Sequence, residues 1–236
     1  MHRSKKKILI SGGNSLIGQD LVKYLIKKYF VISTYRKNKL KLKNKNLKQI
    51  KYDFKKKLIL NDKINYLIHL AASTPTNAKT NPTMFRINKI GTEKILNSSI
   101  KFESIILIST LSIYGNIKKK IIDEKLKPNK PDYYGKSKLL MEESIIRYSK
   151  KNKSKYLILR LPGVIGNFRS KTTFMNNVFE KLFKNKSLTY ANPNSYTNNI
   201  IHTDTLAKII VSFLRTNNPK NKIFNLCSKK KIKIKD

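Results

Sequence analysis

The chain has 236 residues, of which 39% are hydrophobic, which suits one α/β domain with a modest appendage and excludes a wholly disordered protein. The single cysteine, Cys227, excludes an internal disulfide, and the three histidines lack the spacing of a metal-binding pair, so no metal is expected. The formal net charge of +39 favours polyanionic ligands. Lysine is enriched together with asparagine and isoleucine and is spread along the chain, so compositional drift explains the charge better than a nucleic-acid surface.

Neither a signal peptide nor a membrane span is predicted. The basic start, residues 1–7, leads into an apolar run that is too short for a signal peptide. No run approaches the ~20 apolar residues that cross a bilayer. We therefore expect no membrane insertion and a cytoplasmic location.

Short apolar runs alternate with helical patterns along the chain. The predicted strands are Lys7–Ile10, Phe30–Thr34, Gln49–Tyr52, Tyr66–Leu70, Ser104–Ser109, Tyr156–Leu161 and Ile223–Leu226, and the predicted helices are Leu16–Lys28, Pro82–Lys101, Pro131–Lys151 and Thr203–Leu214. Arg36–Lys48, dense in Lys and Asn, is predicted to be an exposed loop. This alternation indicates a parallel sheet covered on both faces, with ligands at the carboxyl ends of its strands.

The first candidate site is the run Ser11-Gly12-Gly13-Asn14-Ser15-Leu16-Ile17-Gly18, between the first strand and the first helix. Glycine allows a tight turn and lets the backbone approach a pyrophosphate, and a helix N-terminus offers free N–H groups. Gly18 would let the helix pack closely on the strand. Ser15 stands where a middle glycine is usual, and it fits if its φ stays negative. An ordinary glycine-rich turn is the alternative.

The second candidate site is the pair Tyr134 and Lys138, which are four residues apart and share one face of a predicted helix. A phenol has a pKa of ~10, and a neighbouring ammonium can lower this by ~1–3 units. Tyr134 would then exchange a proton with a substrate oxygen while hydride moves at the same carbon, and Lys138 would hold a cofactor ribose. Chance is the alternative, because both residue types are abundant here.

The third candidate site is the hydroxyl-rich turn that follows the buried strand Ser104–Ser109. A hydroxyl in this turn would hydrogen-bond the reacting oxygen beside Tyr134. Capping of the strand end by a hydroxyl is the alternative.

The order of these three sites resembles the extended short-chain dehydrogenase/reductase family, the NAD-dependent epimerase/dehydratase group. Further segments match the family's pattern in register, and the resemblance runs from about Lys7 to the end of the chain. These segments are Leu67–Ala72, Asn88–Thr92, Leu159–Gly166, Ile201–Ala207 and Asn225–Leu226. The resemblance implies a Rossmann-type doubly wound parallel sheet over residues 1–160, with a small, shortened substrate lobe over residues 161–236 interleaved with the last strands.

The resemblance also implies the roles of individual residues. Tyr134 would be the catalytic acid/base, with Lys138 as its partner and Thr110 as the active-site hydroxyl. Residues implied to line the dinucleotide are Gly12, Ser15, Leu16, Ile17 and Gly18 at the pyrophosphate, Asp53 and Phe54 at the adenine, Leu70, Ala71 and Ala72 after the fourth strand, the buried Asn88, Pro162 near the nicotinamide, and Tyr134 and Lys138. His69, His202 and Asp204 are expected to be structural.

The implied function is that of an NAD(P)-dependent oxidoreductase or epimerase that moves hydride at C4 of a nucleotide-linked sugar, in surface polysaccharide synthesis. The second strand ends without a carboxylate for a ribose 2′-hydroxyl, and Arg36 would pair with a 2′-phosphate. NADP is therefore favoured over NAD, and a 4-keto reductase over an epimerase. The short stretch after Asn225–Leu226 leaves the completeness of the substrate pocket open.

Two other function classes remain as alternatives. One is a non-catalytic NADP-binding regulator or scaffold with the same fold. A nucleic-acid-binding protein is less favoured, because the basic residues form no stripe with interleaved aromatics and no nucleic-acid-binding motif is present. The family also implies a homodimer through Pro82–Lys101 and Pro131–Lys151.

Overall fold

The computed structural model describes residues 5–54, 56–76, 78, 80–117, 121–166, 174–187, 199–215 and 221–227. Its strands are β1 (Lys7–Ser11), β2 (Phe30–Tyr35), β3 (Leu47–Lys51), β4 (Tyr66–His69), β5 (Ser104–Thr110), β6 (Lys155–Leu161), β7 (Gly163–Ile165), β8 (Ile200–His202) and β9 (Lys222–Asn225). Its helices are α1 (Leu16–Leu25), α2 (Asn81–Leu96), α3 (Tyr133–Asn152), α4 (Phe174–Phe183) and α5 (Thr203–Arg215), with a 3₁₀ helix over Leu111–Tyr114.

Seven strands of the described residues form one sheet in the order β3-β2-β1-β4-β5-β6-β9, and every neighbouring pair is parallel. The order reverses at β1, because the chain returns from the β3 edge to place β4 on the other side of β1. In such sheets a ligand crevice opens outside the carboxyl ends of the strands at the reversal. The predicted doubly wound parallel sheet is confirmed, and the glycine turn after β1 lies at this crevice.

Alternate residues of the central strands supply two apolar cores, because successive side chains of a strand point to opposite faces. Ile8 and Ile10 of β1 face one side, where α1 and α5 pack together. Leu9 faces the other side, where α2 and α3 pack together. Burial on both faces explains why the strands are apolar throughout rather than alternating.

The element boundaries differ from the predictions at several ends. α1 ends at Leu25 rather than at Lys28, and α2 ends at Leu96 rather than at Lys101. β3 begins at Leu47, within the segment predicted to be a loop. The rest of that segment folds back on β3, because the side chain of Gln49 hydrogen-bonds the backbone of Leu40 on both its N–H and its carbonyl.

The later part of the chain joins the sheet and covers α1. β9 pairs with β6, and α5 packs on α1, where Thr203 Oγ1 donates to Asp20 Oδ2 at 2.5 Å. The short strands β7 and β8 pair with each other, and they were not predicted because three-residue strands carry no periodic signal. The helix α4 was also not predicted. A Cβ on Gly166 would lie 3.1 Å from Leu16 Cδ1, so the end of β7 lies against the start of α1. The boundary at residue 160 between a dinucleotide-binding domain and a substrate lobe stays a prediction.

The described helices include none that is both long and apolar enough to cross a membrane.

Candidate functional site

The glycine turn is held tightly between β2 and β4. Its amides bind the end of β2, since Gly12 N–H donates to Thr34 Oγ1 at 3.0 Å and Gly13 N–H donates to Thr34 O at 3.0 Å. Gly12 has φ +77°, and a Cβ on it would lie 3.0 Å from the backbone of Ala71. A Cβ on Gly18 would lie 2.5 Å from Gly13 O. The turn therefore requires glycine at positions 12 and 18 for conformational and steric reasons.

Ser15 forms the N-cap of α1. Its φ is −71°, and its Oγ accepts the Gly18 N–H at 3.1 Å, so the negative φ expected for a serine at this position is confirmed. An N-cap hydroxyl stabilises a helix start because it satisfies one of the first free amides. Leu16 and Ile17 follow as the first residues of α1, and the positive end of its dipole lies at the crevice.

The segment after β2 runs past the glycine turn. Asn14 Nδ2 donates to Asn38 O at 2.9 Å, which ties this segment to the turn. Arg36 is exposed and lies between Thr34, which binds the turn, and Asn38. Over residues 34–37, at the end of β2 and directly after it, this segment therefore carries an arginine and no carboxylate.

A set of buried uncharged groups lies beneath the glycine turn; we call it the neutral network. It links β1, β4, α2 and α3, and its members are Ser11, His69, Thr92, Asn88, Ser73 and Ser137. The His69 ring lies at its centre, with Nδ1 2.5 Å from Ser11 Oγ and Nε2 2.9 Å from Thr92 Oγ1. Ser11 Oγ also accepts the N–H of Ala71, and Ser11 O accepts the N–H of Leu70, both in the segment after β4.

The hydrogen bonds of the neutral network fix the tautomer of His69. Thr92 Oγ1 donates its proton to Asn88 O at 2.6 Å, so it accepts from His69 Nε2–H. Nδ1 is then the acceptor, and Ser11 Oγ–H donates to it. Burial lowers the pKa of His69 from 6.5 to about 3, with a smaller effect from the charge of Lys138, so the ring is neutral near pH 7. His69 is structural, as expected.

Asn88 extends this network to the helix that carries Tyr134. Its Nδ2 donates to Ser73 O at 3.0 Å and to Ser137 Oγ at 2.8 Å, and its Oδ1 accepts the N–H of Ser73 at 2.6 Å. Ser137 Oγ donates in turn to Tyr134 O at 2.8 Å. Because both amide protons of Asn88 are engaged within the protein, its geometry fits a residue that holds the wall of the crevice rather than one that touches a dinucleotide.

The two remaining sites meet where α3 begins and β5 ends. Lys138 Nζ donates to Ile108 O at 2.6 Å, two residues before Thr110. A Cβ on Gly135 would collide with Ser112 O, so the first turn of α3 packs directly on the 3₁₀ helix. The Thr110 hydroxyl accepts from Ser112 N–H and donates to Ser112 Oγ, both at 3.2 Å, which is the capping bond named as its alternative.

The predicted direction of the pKa shift of Tyr134 is wrong, because its pKa is raised rather than lowered. Burial, with a smaller effect from the Asp132 carboxylate, raises the pKa of Tyr134 to about 12. The ammonium of Lys138 does not offset this rise, because it is turned toward the carbonyl of Ile108 on β5. Burial lowers the pKa of Lys138 itself to about 8, and the negative charge of Glu142 opposes that fall. The phenol is therefore protonated at neutral pH.

A second set of buried groups, which we call the charged network, lies behind Lys138. Arg160 on β6 clamps Glu142 on α3, with Nε to Oε1 at 3.2 Å and Nη2 to Oε2 at 2.8 Å. Ser109 Oγ donates to Glu142 Oε1 at 2.5 Å, and Arg160 Nη1 donates to Tyr114 OH at 2.7 Å. Tyr114 OH donates to Asn225 Oδ1 on β9 at 2.9 Å.

The residues of the charged network were not among the predicted site residues. Two signals in the sequence point to it. Arg160 is a single charge inside the apolar strand Leu157–Leu161, and a buried charge requires a partner. Glu142 lies four residues after Lys138, so it shares that residue's helix face.

The other predicted residues lie on the segments that follow β3, β4 and β6. A Cβ on Gly91 would lie 2.8 Å from the Phe54 ring, so Phe54 packs on α2, with the exposed Asp53 beside it. Pro162 is half-buried between β6 and β7. Ala72 is half-buried after β4 and packs at the margin of the second core.

The corner at the start of α5 is held by hydrogen bonds, as expected. Asp204 N–H donates to His202 Nδ1 at 3.1 Å, and Tyr24 OH donates to the Asp204 carboxylate. The Lys208 ammonium forms an ion pair with Asp204 Oδ2 at 2.8 Å. Over the described ranges, no three His, Cys, Asp or Glu side chains are grouped so that they could hold a metal ion.

Comparisons with known proteins agree with this geometry. Residues 8–227 match the model of the NAD dependent epimerase/dehydratase family. The chain is 31% identical over 151 residues to a GDP-6-deoxy-D-talose 4-dehydrogenase of Aggregatibacter actinomycetemcomitans, which covers 60% of this chain and 48% of that protein. It is 28% identical over 241 residues to a dTDP-D-glucose 4,6-dehydratase of Dictyostelium discoideum, which covers 89% of this chain and 56% of that protein. The chain thus spans about half the length of these curated relatives.

The fold itself matches solved structures. The UDP-glucuronic acid 4-epimerase of Bacillus cereus, solved with UDP-glucuronic acid and NAD, superposes with a TM-score of 0.82 at 23% identity. That superposition covers 97% of this chain and 79% of the epimerase, and at this identity it shows a shared fold.

Proposed function

Because the chain belongs to the NAD dependent epimerase/dehydratase family, we propose that it transfers hydride at C4 of a nucleotide-linked sugar, with NADP favoured as cofactor. The observation that carries the proposal is that buried hydrogen bonds join the glycine turn to the helix of Tyr134 and Lys138, across the carboxyl ends of β1, β4 and β5. Two of the similar proteins are named as a 4-dehydrogenase and a 4-epimerase, which supports carbon 4 of the sugar as the atom that exchanges hydride.

The glycine turn fits a dinucleotide. Gly12 and Gly18 let the turn pack closely against Ala71 and against the start of α1, and the N-terminus of α1 attracts the negative charge of a pyrophosphate. When bound, the nicotinamide supplies the hydride chemistry. Ser15, Leu16 and Ile17 would hold the pyrophosphate, and Leu70 and Ala71 would form the wall after β4. Asp53 and Phe54 toward the adenine, and Pro162 toward the nicotinamide, stay predictions.

Tyr134 is suited to give a proton. Its raised pKa keeps the phenol protonated at neutral pH, which matches a reduction, where the sugar oxygen gains a proton as its carbon gains hydride. In that step the carbonyl π bond would break, the proton on the new O–H bond would come from the broken O–H bond of Tyr134, and the new C–H bond would replace one broken on the dinucleotide. The sugar would thus be reduced and the dinucleotide oxidised. Thr110 would orient the sugar oxygen, and Lys138 would hold the ribose. A 4-keto reductase is favoured over an epimerase because a reductase consumes NADPH, the cofactor that Arg36 favours.

The preference for NADP rests on Arg36. Its exposed guanidinium lies on the segment tied to the glycine turn through Asn14, and residues 34–37 carry no carboxylate to bind a ribose 2′-hydroxyl. A guanidinium binds phosphate oxygens in a bidentate manner, so it would discriminate for a 2′-phosphate. A role in polysaccharide synthesis, a cytoplasmic location and a homodimer stay predictions.

The test is a fluorescence titration of the purified chain with NADPH and NADH. We expect Arg36→Ala to weaken NADPH binding by about 10- to 100-fold, because a charged hydrogen bond contributes about 1.5–3 kcal/mol, and to leave NADH binding unchanged. Arg86→Ala, which removes an exposed arginine from α2, is the matched control and should change neither affinity.

The outcomes separate the candidates. Selective weakening by Arg36→Ala justifies a screen of nucleotide-linked 4-keto sugars for oxidation of NADPH. Equal weakening of both dinucleotides removes the preference for NADP. If the wild type binds neither dinucleotide, the enzyme assignment fails and a non-catalytic scaffold takes its place.

A further inference from the structure

The Glu142–Arg160 pair is unusual in its position. The two side chains are 3% and 8% exposed, and the pair lies one helical turn after Lys138 and, through Ser109, next to Thr110. A buried ion pair gains little stability over apolar residues of the same size, because both charges lose their hydration. Its place beside two site residues therefore points to a role besides stability.

We propose that Glu142 and Arg160 are positioning residues. The Glu142 carboxylate keeps the buried amine of Lys138 positively charged against the carboxyl end of β5, and Arg160 holds that carboxylate in place and moderates its charge. The inference rests on the proposed function, in which Lys138 holds the ribose of a dinucleotide. Consecutive residues of β5 make the two attachments, since Ile108 O accepts from Lys138 Nζ at 2.6 Å and Ser109 Oγ donates to Glu142 Oε1 at 2.5 Å.

The two members of the pair act on Lys138 with opposite signs. The carboxylate of Glu142 attracts the ammonium and opposes the effect of burial on it. Arg160 binds both oxygens of that carboxylate and so neutralises part of the attraction. Loss of Glu142 should therefore discharge Lys138, and loss of Arg160 should strengthen its charge.

The other groups described below that lie near Lys138 carry no negative charge near neutral pH. From β4, His69 faces it as a neutral ring, and from α2 the polar groups at this interior are the uncharged Asn88 and Thr92. On its own helix, Tyr134 is a protonated phenol near neutral pH. Among these described neighbours, Glu142 supplies the negative charge.

The test follows the Lys138 side chain by NMR in the full chain labelled with ¹³C-lysine. The ¹³Cε signal is titrated against pH and assigned by its loss in Lys138→Met. We expect Glu142→Gln to lower the titration midpoint by about 1 pH unit or more and Arg160→Met to raise it. Glu143→Gln removes the same charge from the exposed neighbouring position of α3, and it should leave the midpoint unchanged.

A merely structural role gives a different pattern. Both single variants would then lose stability, while the midpoint of Lys138 would stay at its wild-type value. If a single variant does not fold, the double variant Glu142→Gln/Arg160→Met decides, because it leaves neither charge without its partner. Its midpoint should lie below that of the wild type, and an unchanged midpoint overturns the inference.

The titration needs no dinucleotide, so it separates this inference from the proposed function. Binding of NADPH and NADH to the same variants is measured by fluorescence. If the wild type binds neither while Glu142→Gln lowers the midpoint, the proposed function fails and the charge coupling stands. If the wild type binds NADPH while Glu142→Gln keeps the wild-type midpoint, this inference fails and the proposed function stands.

Discussion

Two buried polar networks support the candidate site, and they differ in charge. The neutral network joins the glycine turn to α3 through hydroxyls, an amide and the uncharged ring of His69. The charged network joins α3 to β5, β6 and β9 around the Glu142–Arg160 pair. Both are buried, and both cross from a sheet strand to α3. One therefore depends on the direction of its hydrogen bonds, and the other on the balance of its charges.

This difference determines how each network fails. Removal of one partner from a neutral network leaves an unsatisfied donor or acceptor, which costs about 1–3 kcal/mol. Removal of one partner from a buried ion pair leaves an uncompensated charge, which costs about 3–5 kcal/mol. A single substitution should therefore lower the stability of the protein more in the charged network than in the neutral network. Replacement of both members of the ion pair should lower it less than replacement of one.

The largest effect is expected for Glu142→Leu. This change leaves Arg160 charged and buried without its carboxylate, so we expect the free energy of unfolding in urea to fall by about 3–5 kcal/mol. Glu143→Leu, at the exposed neighbouring position, should change it by less than about 0.5 kcal/mol. The double variant Glu142→Leu/Arg160→Met should recover most of the loss. A double variant as unstable as the single one would show that charge balance is not the cause.

A smaller effect is expected for His69, and it depends on pH. The folded-state pKa of His69 is lowered from 6.5 to about 3, so between these values the unfolded chain binds more protons than the folded one. Its contribution to stability is complete above pH 6.5 and is lost by about 1.4 kcal/mol for each pH unit below it. Urea unfolding between pH 7 and pH 4.5 should be less steeply dependent on pH in His69→Asn than in the wild type. Equal slopes would contradict a buried neutral ring.

The smallest effect is expected at the surface of the glycine turn. Ser15→Ala removes the N-cap of α1, so the free energy of unfolding should fall by about 1 kcal/mol, whereas Ser15→Gly should cost only a few tenths. Thermal or urea unfolding at pH 7 measures both. If Ser15→Gly were the more destabilising variant, the serine would act through backbone restriction rather than through its cap.

The sequence was sufficient to predict the strands of the seven-stranded sheet and the glycine turn after β1. Apolar runs between helical patterns predicted the parallel sheet, because each central strand is buried on both faces. The glycines at positions 12 and 18 could be predicted because the positive φ of Gly12 and the close approach of Gly18 to Gly13 O arise within the turn itself. The contact of Gly12 with Ala71 depends on the tertiary fold.

The charges inside the site could not be predicted in this way. Tyr134 and Lys138 share a helix face, yet the direction of the Lys138 side chain depends on the carbonyl of Ile108, which another element presents. Burial then dominates both pKa values, and burial depends on tertiary packing rather than on spacing. Arg160 lies within a segment that matched the family pattern, but its partner Glu142 lies on α3 and no local signal joins the two.

The contact between α1 and α5 constrains the order in which the parts of the chain can fold during synthesis. Asp20 and Thr203, which are hydrogen-bonded to each other, are 183 residues apart in sequence, and the apolar faces of the two helices share one core. During synthesis, α1 leaves the ribosome long before α5, so the part of its apolar face that α5 covers stays exposed to solvent or to a chaperone while the intervening chain is made. The helix that would hold the pyrophosphate is thus among the first segments to appear, and its cover is complete only after α5 has been made.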